Sequence, residues 1–344
     1  MTTIRQTSTT ILTSAPRPLI ISDEIPGPVS DVCEVLRDRG VEPLVFRPSQ
    51  DMGSRIRIST RYSSAGLNGA LTDLESGYTR IIDSSTRIWT RKPEYPNAGR
   101  ALDPDPEVSR FIRNQYRVSL DSLFTLDAVW MNPLPLERKL DQNKLLQAGL
   151  AAGVGLKVPA TLCSDSPDEC RQFIEALPAG TDVALKATAA WMSEVSGEDV
   201  ALGTYTRRLG RQQALELISL AAHAPVILQP YIEKSYELRV TIVDREVFAC
   251  RIDSQASDST KVDWRHYNLD NTPHSAVELE PSLNNALVLF METSGLTFAA
   301  VDLIVDAAGD VIFLEANPCG AYGWIEAITD LPITQAIANW LLCE

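Results

Sequence analysis

The sequence predicts an α/β protein whose C-terminal half changes to an α+β arrangement. Near the start, two short apolar runs flank one amphipathic segment that ends at Gly40, which is the pattern of a β-α-β unit. The second half instead carries paired apolar runs separated by very short turns, and such hairpins favour antiparallel sheet over a doubly wound parallel sheet. The length of 344 residues favours about two domains, or one fold with two or three parts.

The first part, residues 10–130, is predicted to be a β-α-β domain. Its first helix is indicated by Val32, Val35 and Leu36, which recur at helical spacing. The expected elements are strands within 11–22, 41–48 and 79–93, a helix within 28–40, a polar loop over 91–107 and a helical segment around 107–127.

The second part, residues 131–228, begins with the proline-containing connector "MNPLPLERK". One helix start is clear, because Ser166 can cap, Pro167 suits the first helical position and Glu169 completes a capping box. Segment 190–203 is polar and without period, and is predicted to be a mobile loop. The other expected elements are helices over 142–152 and 211–222 and strands within 181–189 and 225–232.

The third part, residues 229–344, is predicted to be an antiparallel sheet with helices. Two apolar strands flank Asp244-Arg245 as a hairpin, and a second hairpin spans residues 301–317. The stretch 253–282 is polar and predicted to be irregular. Helices are expected over 282–295 and 333–342.

Charge and composition exclude several classes of protein. Lys and Arg number 31 against 45 Asp and Glu, so a net charge of −14 argues against nucleic-acid and anionic-membrane partners. No run approaches membrane-spanning length and the N-terminus lacks an apolar signal core, which predicts a cytoplasmic protein. The six scattered cysteines are expected to be reduced thiols, and three histidines argue against a histidine-centred metal site.

Three polar residues interrupt the apolar hairpin at 301–317. With Ala308-Gly309 at the centre of the turn, Asp302 lies directly opposite Glu315, and Asn317 shares the face of Glu315. Opposed Cβ atoms are roughly 5 Å apart, so the two carboxylates repel each other. A hard cation such as Mg²⁺ would offset that repulsion, because it takes one or two carboxylates plus substrate phosphates. The alternative is a surface hairpin with solvated ends, and the apolar flanks on both faces argue against it.

Four blocks over roughly residues 139–344 resemble the ATP-grasp superfamily in order and spacing. They are "DQNKLLQAGLAAGVGLKVPAT", "DVALKATA", "LQPYIEKSYELRVTIV" and "VDLIVDAAGDVIFLEANP". The resemblance implies an ATP-grasp fold preceded by an N-terminal pre-ATP-grasp domain, with a central part at 131–228 and a C-terminal part at 229–344. It also implies ATP and Mg²⁺ as cofactors.

The resemblance implies a role for each matching residue. Mg²⁺ would be held by Asp302, Glu315 and Asn317, and phosphate by Lys144 and Lys186. The adenine hinge would be Gln229, Pro230, Tyr231 and Ile232, with backbone groups of Tyr231 and Ile232 contacting the adenine. Glu237 would bind the ribose. Alternatives stay open for single residues. Each lysine alone could be a solvated surface residue, the hinge a plain strand end and Glu237 half of a cross-strand ion pair.

A narrower resemblance covers almost the whole chain. "RIWTRKP", "IDSQASDSTKVDWRHY" and "GWIEAITDLPITQAIANWL" resemble the peptide-maturing ligases that make microviridins and other graspetides. This implies an ATP-dependent ligase that phosphorylates side-chain carboxylates of a ribosomal precursor peptide and links them to Thr or Ser hydroxyls, as esters, or to Lys amines. It also implies a homodimer and a precursor with a leader and an acidic, Thr-rich core.

Further roles follow from this narrower resemblance alone. Arg265, in "DWR", and Arg251 would stabilise the acyl phosphate or hold the acidic substrate. Segment 190–203 would close over the triphosphate, and the Asp244-Arg245 turn would help to bind the leader. Cys319-Gly320 stands where such enzymes often have a second Asn and more Trp, which leaves the peptide substrate open.

Two other functions are compatible with the same motifs. One is an ATP-grasp carboxylate–amine ligase acting on a small molecule or a free amino acid. The other is a non-catalytic nucleotide-binding regulatory protein, against which the metal-binding set and both lysines count. The number and connectivity of rings, and ester against amide chemistry, stay open.

Overall fold

The structure is a computed structural model that describes residues 17–64, 66–95, 103–141, 143–188, 206–257, 260–262 and 272–343, with the backbone alone for 192–194 and 201–203. All six cysteines lie in these ranges and are free thiols. Among the described residues, every helix is too short or too polar to cross a bilayer.

The first part confirms the predicted β-α-β opening. Strand β1 (Leu19–Ser22) pairs in parallel with β2 (Leu44–Phe46), and helix α1 (Pro28–Asp38) connects them. The short helix α2 (Pro48–Asp51) follows β2. The sheet has the order β2-β1-β6-β7, in which β6 is Arg87–Arg91 and β7 is Val129–Met131. Helix α3 (Pro106–Leu123) lies where the second helical pattern was predicted.

A three-stranded antiparallel sheet was not predicted. It consists of β3 (Ile56–Ser63), β4 (Gly66–Asp73) and β5 (Thr79–Ile82) in sequence order. Most of β3 is exposed and polar, so it lacks the apolar alternation that indicates a half-buried strand. The single strand predicted within 79–93 is wrong, because it divides into β5 and β6. Asp83 makes the turn between them by accepting hydrogen bonds from the Ser85 amide and the Thr86 hydroxyl.

The middle of the chain forms a second four-stranded sheet. Its order is β12-β9-β13-β8, with β8 at Leu162–Ser164, β9 at Val183–Ala187, β12 at Arg207–Leu209 and β13 at Val226–Pro230. The helices are α4 (Leu134–Asp141), α5 (Lys144–Gly153), α6 (Pro167–Ala176) and α7 (Arg211–Leu217). Strand β13 continues across the boundary expected between residues 228 and 229.

Three local expectations in this region can be compared with the structure. Ser166 caps α6 as predicted by accepting the Glu169 amide, and the Glu169 carboxylate accepts from the Ser164 hydroxyl. The predicted connector at 131–139 is wrong in part, because most of it forms α4. The irregular loop predicted over 190–203 contains two paired antiparallel strands, β10 (Met192–Glu194) and β11 (Ala201–Gly203).

The last part is a five-stranded antiparallel sheet, as the hairpins predicted. Its order is β16-β15-β14-β17-β18. The strands are β14 (Lys234–Val243), β15 (Glu246–Ile252), β16 (His274–Val277), β17 (Phe298–Asp306) and β18 (Val311–Asn317). Strand β16 lies within the stretch predicted to be irregular. The helices are α8 (Pro281–Ser294), α9 (Gly323–Thr329) and α10 (Ile333–Leu342).

The two faces of this sheet differ in chemistry. One face is mostly apolar and packs on α5 and α8 through residues such as Leu238, Val301 and Phe290, with Arg251 at its margin. The other face is apolar only at one end, where Val243 and Phe298 pack with α1 and α10. Its other end carries buried polar residues, so strand alternation concentrates them on one half of one face.

Buried polar contacts join the first part of the chain to the last hairpin. The Asn132 side chain donates to the carbonyls of Phe298 (2.7 Å) and Pro318 (2.9 Å), and it accepts from the amides of Thr297 and Phe298. A buried side-chain amide is stable only when it is hydrogen-bonded. Asn132 therefore fixes the start of β17 and the end of β18 relative to the first sheet.

Helix α4 carries one buried carboxyl group at this junction. Burial, together with the negative charge of Asp141, raises the pKa of Glu137 to about 7, against the effects of Cys319 and Arg91. A carboxyl group whose pKa is raised in the fold binds its proton more tightly in the native than in the unfolded state. Its contribution to stability is present below its ordinary pKa and is lost as the pH rises through about 7.

We expect Glu137→Gln to remove this pH dependence. Between about pH 5 and about pH 8, the free energy of unfolding of the wild-type protein should fall relative to the variant by about 3 kcal/mol. Urea unfolding at both pH values measures the difference, with Glu175→Gln on the exposed surface of α6 as the matched control. Equal pH dependence of the wild-type protein and E137Q would contradict the assignment.

Candidate functional site

Most of the predicted site residues converge on one cleft between the central sheet and the five-stranded sheet. The cleft encloses about 640 Å³, part of which opens to solvent. Side chains from β9, β13, β14, β17 and β18 form its walls. The predicted residues that line it are Lys186, Gln229, Pro230, Tyr231, Ile232, Glu237, Asp302 and Glu315.

The predicted pairing of Asp302 with Glu315 is confirmed, although the turn that produces it differs. Next to the turn, Leu303 pairs with Phe313, one residue out of the register that was predicted. A β-bulge at Leu314 adds one residue to β18, and Asp302 then pairs with Glu315. Without the bulge, Glu315 would project from the opposite, apolar face of the sheet.

Each carboxylate pairs with a cationic side chain. Arg239 Nη1 lies 2.9 Å from Asp302 Oδ1, and both residues are 4% exposed. Lys144, the first residue of α5, forms an ion pair with Glu315 at the edge of β18. The repulsion predicted between these two carboxylates is therefore offset by an arginine and a lysine that lie outside the hairpin.

Arg239 was not predicted as a site residue. It pairs with Asp302 across β14 and β17, and its Nη2 donates to the Ala321 carbonyl at 3.2 Å. The sequence contained the signal, because a charged residue inside the apolar run "LRVTIV" lies two positions from Glu237 and shares its face.

Glu237 lies deep in the cleft beside a lysine that was also not predicted. Lys234 Nζ is 2.7 Å from Glu237 Oε1, and both side chains are 6% exposed. Burial raises the pKa of Glu237, while the charge and hydrogen bond of Lys234 act in the opposite direction. The ion pair considered as an alternative for Glu237 exists, but its partner is on the same strand.

The predicted hinge connects the two sheets that form the cleft. The Tyr231 amide donates to the Asp182 carbonyl at 2.8 Å, so this group is used within the protein. The guanidinium of Arg208 lies 4.3 Å from the centre of the Tyr231 ring, and the Gln229 side chain donates to the Thr161 hydroxyl. These contacts fix the backbone of the hinge.

The two arginines predicted for the substrate have different outcomes. Arg251 pairs with Leu238 across β14 and β15, which places it on the sheet face opposite to Glu237. Its guanidinium lies 3.9 Å from the centre of the Tyr236 ring and bonds to Asp253. Arg251 therefore does not face the cleft, and its role towards the substrate stays a prediction. Arg265 lies outside the described residues.

The loop after β18 is tightly packed against the carboxylate site. Asn317 pairs with Ala300 on the face that carries Asp302, and its carbonyl accepts from the Gly320 amide. A Cβ atom on Gly320 would lie 2.4 Å from the Ala300 Cβ and 2.8 Å from Arg239 Nη2. Glycine at position 320 thus allows Arg239 to reach Asp302.

Cys319 points away from the cleft, towards the junction with the first sheet. Its thiol bonds to Glu137 and lies 3.9 Å from Arg91 Nη1. Burial raises the pKa of the Cys319 thiol to about 12, so it is a packed thiol rather than a thiolate nucleophile.

The donor set fits a magnesium ion. Two carboxylates lie on one face at paired positions, and Asn317 follows two residues after Glu315 on that face. Mg²⁺ is commonly held by one or two carboxylates and completed by phosphates and water. Within the described ranges no cluster of three or more His, Cys, Asp or Glu offers a closed metal cage. A site completed by the substrate is the arrangement that these residues allow.

The chemistry of this cleft defines the class of protein. Two sheets close on a cleft lined by paired carboxylates, Lys186 and Lys234. Lys144 and Arg239 pair with those carboxylates, and this charge distribution suits a metal–nucleotide complex. The model of the RimK-like ATP-grasp domain matches residues 141–341. The chain therefore belongs to the RimK-like ATP-grasp family, which confirms the ATP-grasp resemblance and the predicted fold. A comparison with curated proteins gives no significant match.

Solved structures of peptide ligases resemble this one along their whole length. A Chryseobacterium gregarium RiPP-associated ATP-grasp ligase, in complex with ADP and a leader and core peptide, has a TM-score of 0.81 and 24% identity, covering 95% of this chain and 97% of that one. The macrocyclase MdnB from Microcystis aeruginosa has a TM-score of 0.69, 26% identity and coverage of 95% and 99%. The ATP-grasp ligase PsnB with minimal precursor, Mg and ADP has a TM-score of 0.72, 20% identity and coverage of 96% and 99%.

We expect Gly320→Ala to reduce ATP turnover. The added Cβ must displace Arg239 or Ala300 by several tenths of an ångström or more, and displacements near 1 Å in a site can cost about 100-fold in rate. Turnover measured as ADP release should fall by about 10-fold or more. Gly149→Ala on α5 is the matched control, because a Cβ there meets nothing within 4 Å. Equal turnover of G320A and G149A would contradict this account.

Proposed function

We propose that this protein is an ATP-dependent ligase that joins side-chain carboxylates of a ribosomally made precursor peptide to hydroxyl or amine side chains. The observation that carries the proposal is the cleft in which Asp302 and Glu315 face a group of cations, in a chain that matches peptide ligases over 94% or more of its length. We propose the three ranges 10–130, 131–228 and 229–344 as its domains, with the second boundary moved to the end of β13 at Pro230.

The proposed reaction has two steps. A peptide carboxylate oxygen attacks the γ-phosphorus of ATP, which gives an acyl phosphate and ADP. A hydroxyl or amine of the same peptide then attacks the acyl carbon, loses its proton and expels inorganic phosphate. Each link therefore lowers the mass of the peptide by one water molecule, and side chains of Thr or Ser give esters whereas Lys gives amides.

The proposed roles in the first step follow the charges in the cleft. Asp302, Glu315 and Asn317 would hold Mg²⁺, which when bound supplies positive charge against the phosphate oxygens. Lys186 would contact the phosphates from β9. Lys144, which pairs with Glu315, would turn to the phosphates where Glu315 holds the ion.

The nucleoside would bind along the hinge. The Tyr231 amide is already bonded to Asp182, so we assign the adenine contacts to the Tyr231 carbonyl and the Ile232 amide. Gln229 and Pro230 hold this segment against the central sheet. Glu237 would accept the ribose hydroxyls, and the ion pair with Lys234 lowers the pKa of its carboxyl against the larger effect of burial, which raises it.

The peptide would meet residues outside the nucleotide cleft. We retain Arg265 as the residue that stabilises the acyl phosphate or holds the acidic substrate, a role that rests on its resemblance. The paired strands β10 and β11 would form a cover over the triphosphate that keeps water from the acyl phosphate. The Asp244-Arg245 turn would help to bind the leader. A homodimer in the cytoplasm, without nucleic-acid or membrane partners, completes the proposal.

The first test combines the protein with ATP, Mg²⁺ and a peptide that has a leader and a core rich in Thr and Asp or Glu. We expect loss of one water mass per link, with one ADP and one phosphate released each time. Free amino acids in place of the peptide test the small-molecule ligase. ADP release only with free amino acids would favour that enzyme, and no turnover with any acceptor would favour the regulatory protein.

The second test replaces one metal ligand. We expect Glu315→Gln to lower turnover by on the order of 100-fold or more. The reason is that a neutral amide cannot balance the positive charge of Mg²⁺ as the carboxylate does. Circular dichroism checks that the variant is folded. Glu278→Gln, at an exposed position before α8, is the matched control and should keep wild-type turnover. Near-normal turnover of folded E315Q would refute the metal assignment.

A further inference from the structure

We propose that Gln147 is a positioning residue that holds the bulged strand β18 in the register at which Glu315 faces the metal site. This inference rests on the proposed function, since it concerns the same site. Gln147 lies on α5 and is fully buried. Its Oε1 accepts from the Ala316 amide at 2.8 Å, and its Nε2 donates to the carbonyls of Ala316 and Leu140, each at 2.8 Å.

Ala316 lies on a strand at the edge of the sheet. Strand β18 is an edge strand, because the sheet order ends there. The amide and carbonyl of Ala316 point outward from the sheet, and the Gln147 side chain bonds to both. The side-chain amide thus takes the place of one residue of a neighbouring strand.

The outer edge of β18 is hydrogen-bonded on both sides of the bulge. On the other side of Leu314, the Phe313 amide donates to the Lys157 carbonyl at 2.8 Å. The outer edge of β18 is therefore bonded at Phe313 and at Ala316, and Leu314 and Glu315 lie between the two contacts. A bulge leaves one residue unpaired and the ladder weakened, so fixed points on both sides define where the extra residue is placed.

The backbone orientation of Ala316 determines on which face of the sheet the side chains of Glu315 and Asn317 lie. Backbone groups of successive strand residues point in opposite directions within the sheet, and successive side chains point to opposite faces. With Ala316 turned outward and its side chain in the apolar core, Glu315 and Asn317 project from the face of Asp302. A slip of one residue would bury the Glu315 carboxylate among apolar side chains.

Helix α5 also carries Lys144, the residue that forms the ion pair with Glu315. Lys144 lies one turn before Gln147 on α5, and it pairs with Glu315 while Gln147 bonds to the next residue. Helix α5 therefore controls both the backbone and the charge of this ligand. An apolar residue at 147 would leave the Ala316 amide and the carbonyls of Ala316 and Leu140 without these hydrogen bonds.

The experiment measures the metal dependence of nucleotide binding rather than ligation. ADP affinity is determined by titration calorimetry with Mg²⁺ and with EDTA for the wild-type protein and Gln147→Met, which conserves size but removes the hydrogen bonds. We expect Q147M to lose about 10–100-fold of the affinity that Mg²⁺ adds, while the affinity in EDTA is unchanged. If Mg²⁺ raised the ADP affinity of folded Q147M as much as that of the wild-type protein, the proposal would be overturned.

A matched variant separates positioning from general loss of stability. Leu150→Ala removes apolar packing from the same helix and leaves the hydrogen bonds between Gln147 and Ala316 in place, so it should lower stability and keep the wild-type effect of Mg²⁺ on ADP affinity. If L150A lost this effect of Mg²⁺ to the same extent, the loss would belong to α5 packing and the proposal would fail.

Hydrogen exchange in the wild-type protein tests the contact without any variant, in case Q147M does not fold. The Ala316 amide should exchange as slowly as amides inside β17, because it is bonded although it faces the outer edge. Fast exchange at Ala316 would refute the contact. A wild-type protein that binds Mg–ADP but modifies no peptide would refute the proposed function, and the role of Gln147 would still be decided by binding.

Discussion

The repulsion between Asp302 and Glu315 is the constraint on which the rest of the site depends. Two carboxylates at paired positions on a nearly buried face are unstable unless positive charge lies beside them. The fold supplies one cation from each side, with Arg239 on the neighbouring strand and Lys144 on the helix at the sheet edge. Glycine at position 320 follows from this arrangement, because the guanidinium of Arg239 fills the space that a side chain there would need.

The fold and the site could be predicted to different depths from the sequence. Apolar alternation and turn residues predicted the β-α-β opening and both long hairpins, because these elements bury one face or both. The sheet of β3, β4 and β5 escaped prediction because its strands are largely exposed and polar. The segment at 131–139 is interpreted from the sequence as a connector because it contains Pro133 and Pro135, although proline is tolerated in the first turn of a helix.

In the site, the facing pair was predictable but the way it arises was not. Alternation placed Asp302 opposite Glu315, yet the bulge at Leu314 depends on contacts that α5 and the Lys157 backbone make with the strand edge. Such contacts join residues more than 150 positions apart and leave no local pattern. The alternation of side chains along β14 and β15 would have placed Arg239 on the face of Glu237. It would have placed Arg251 on the opposite face, because Arg251 pairs with Leu238.

The ion pairs of Arg239 and Lys144 have a consequence for ligand binding. If Asp302 and Glu315 hold the ion as proposed, the ion would have to replace internal partners of these carboxylates. Binding would then be an exchange of counterions, in which Lys144 would pass from carboxylate to phosphate and Mg²⁺ would take its former place. The affinity would reflect a difference between two well-bonded states, and such a site would favour metal and nucleotide arriving together over either one alone.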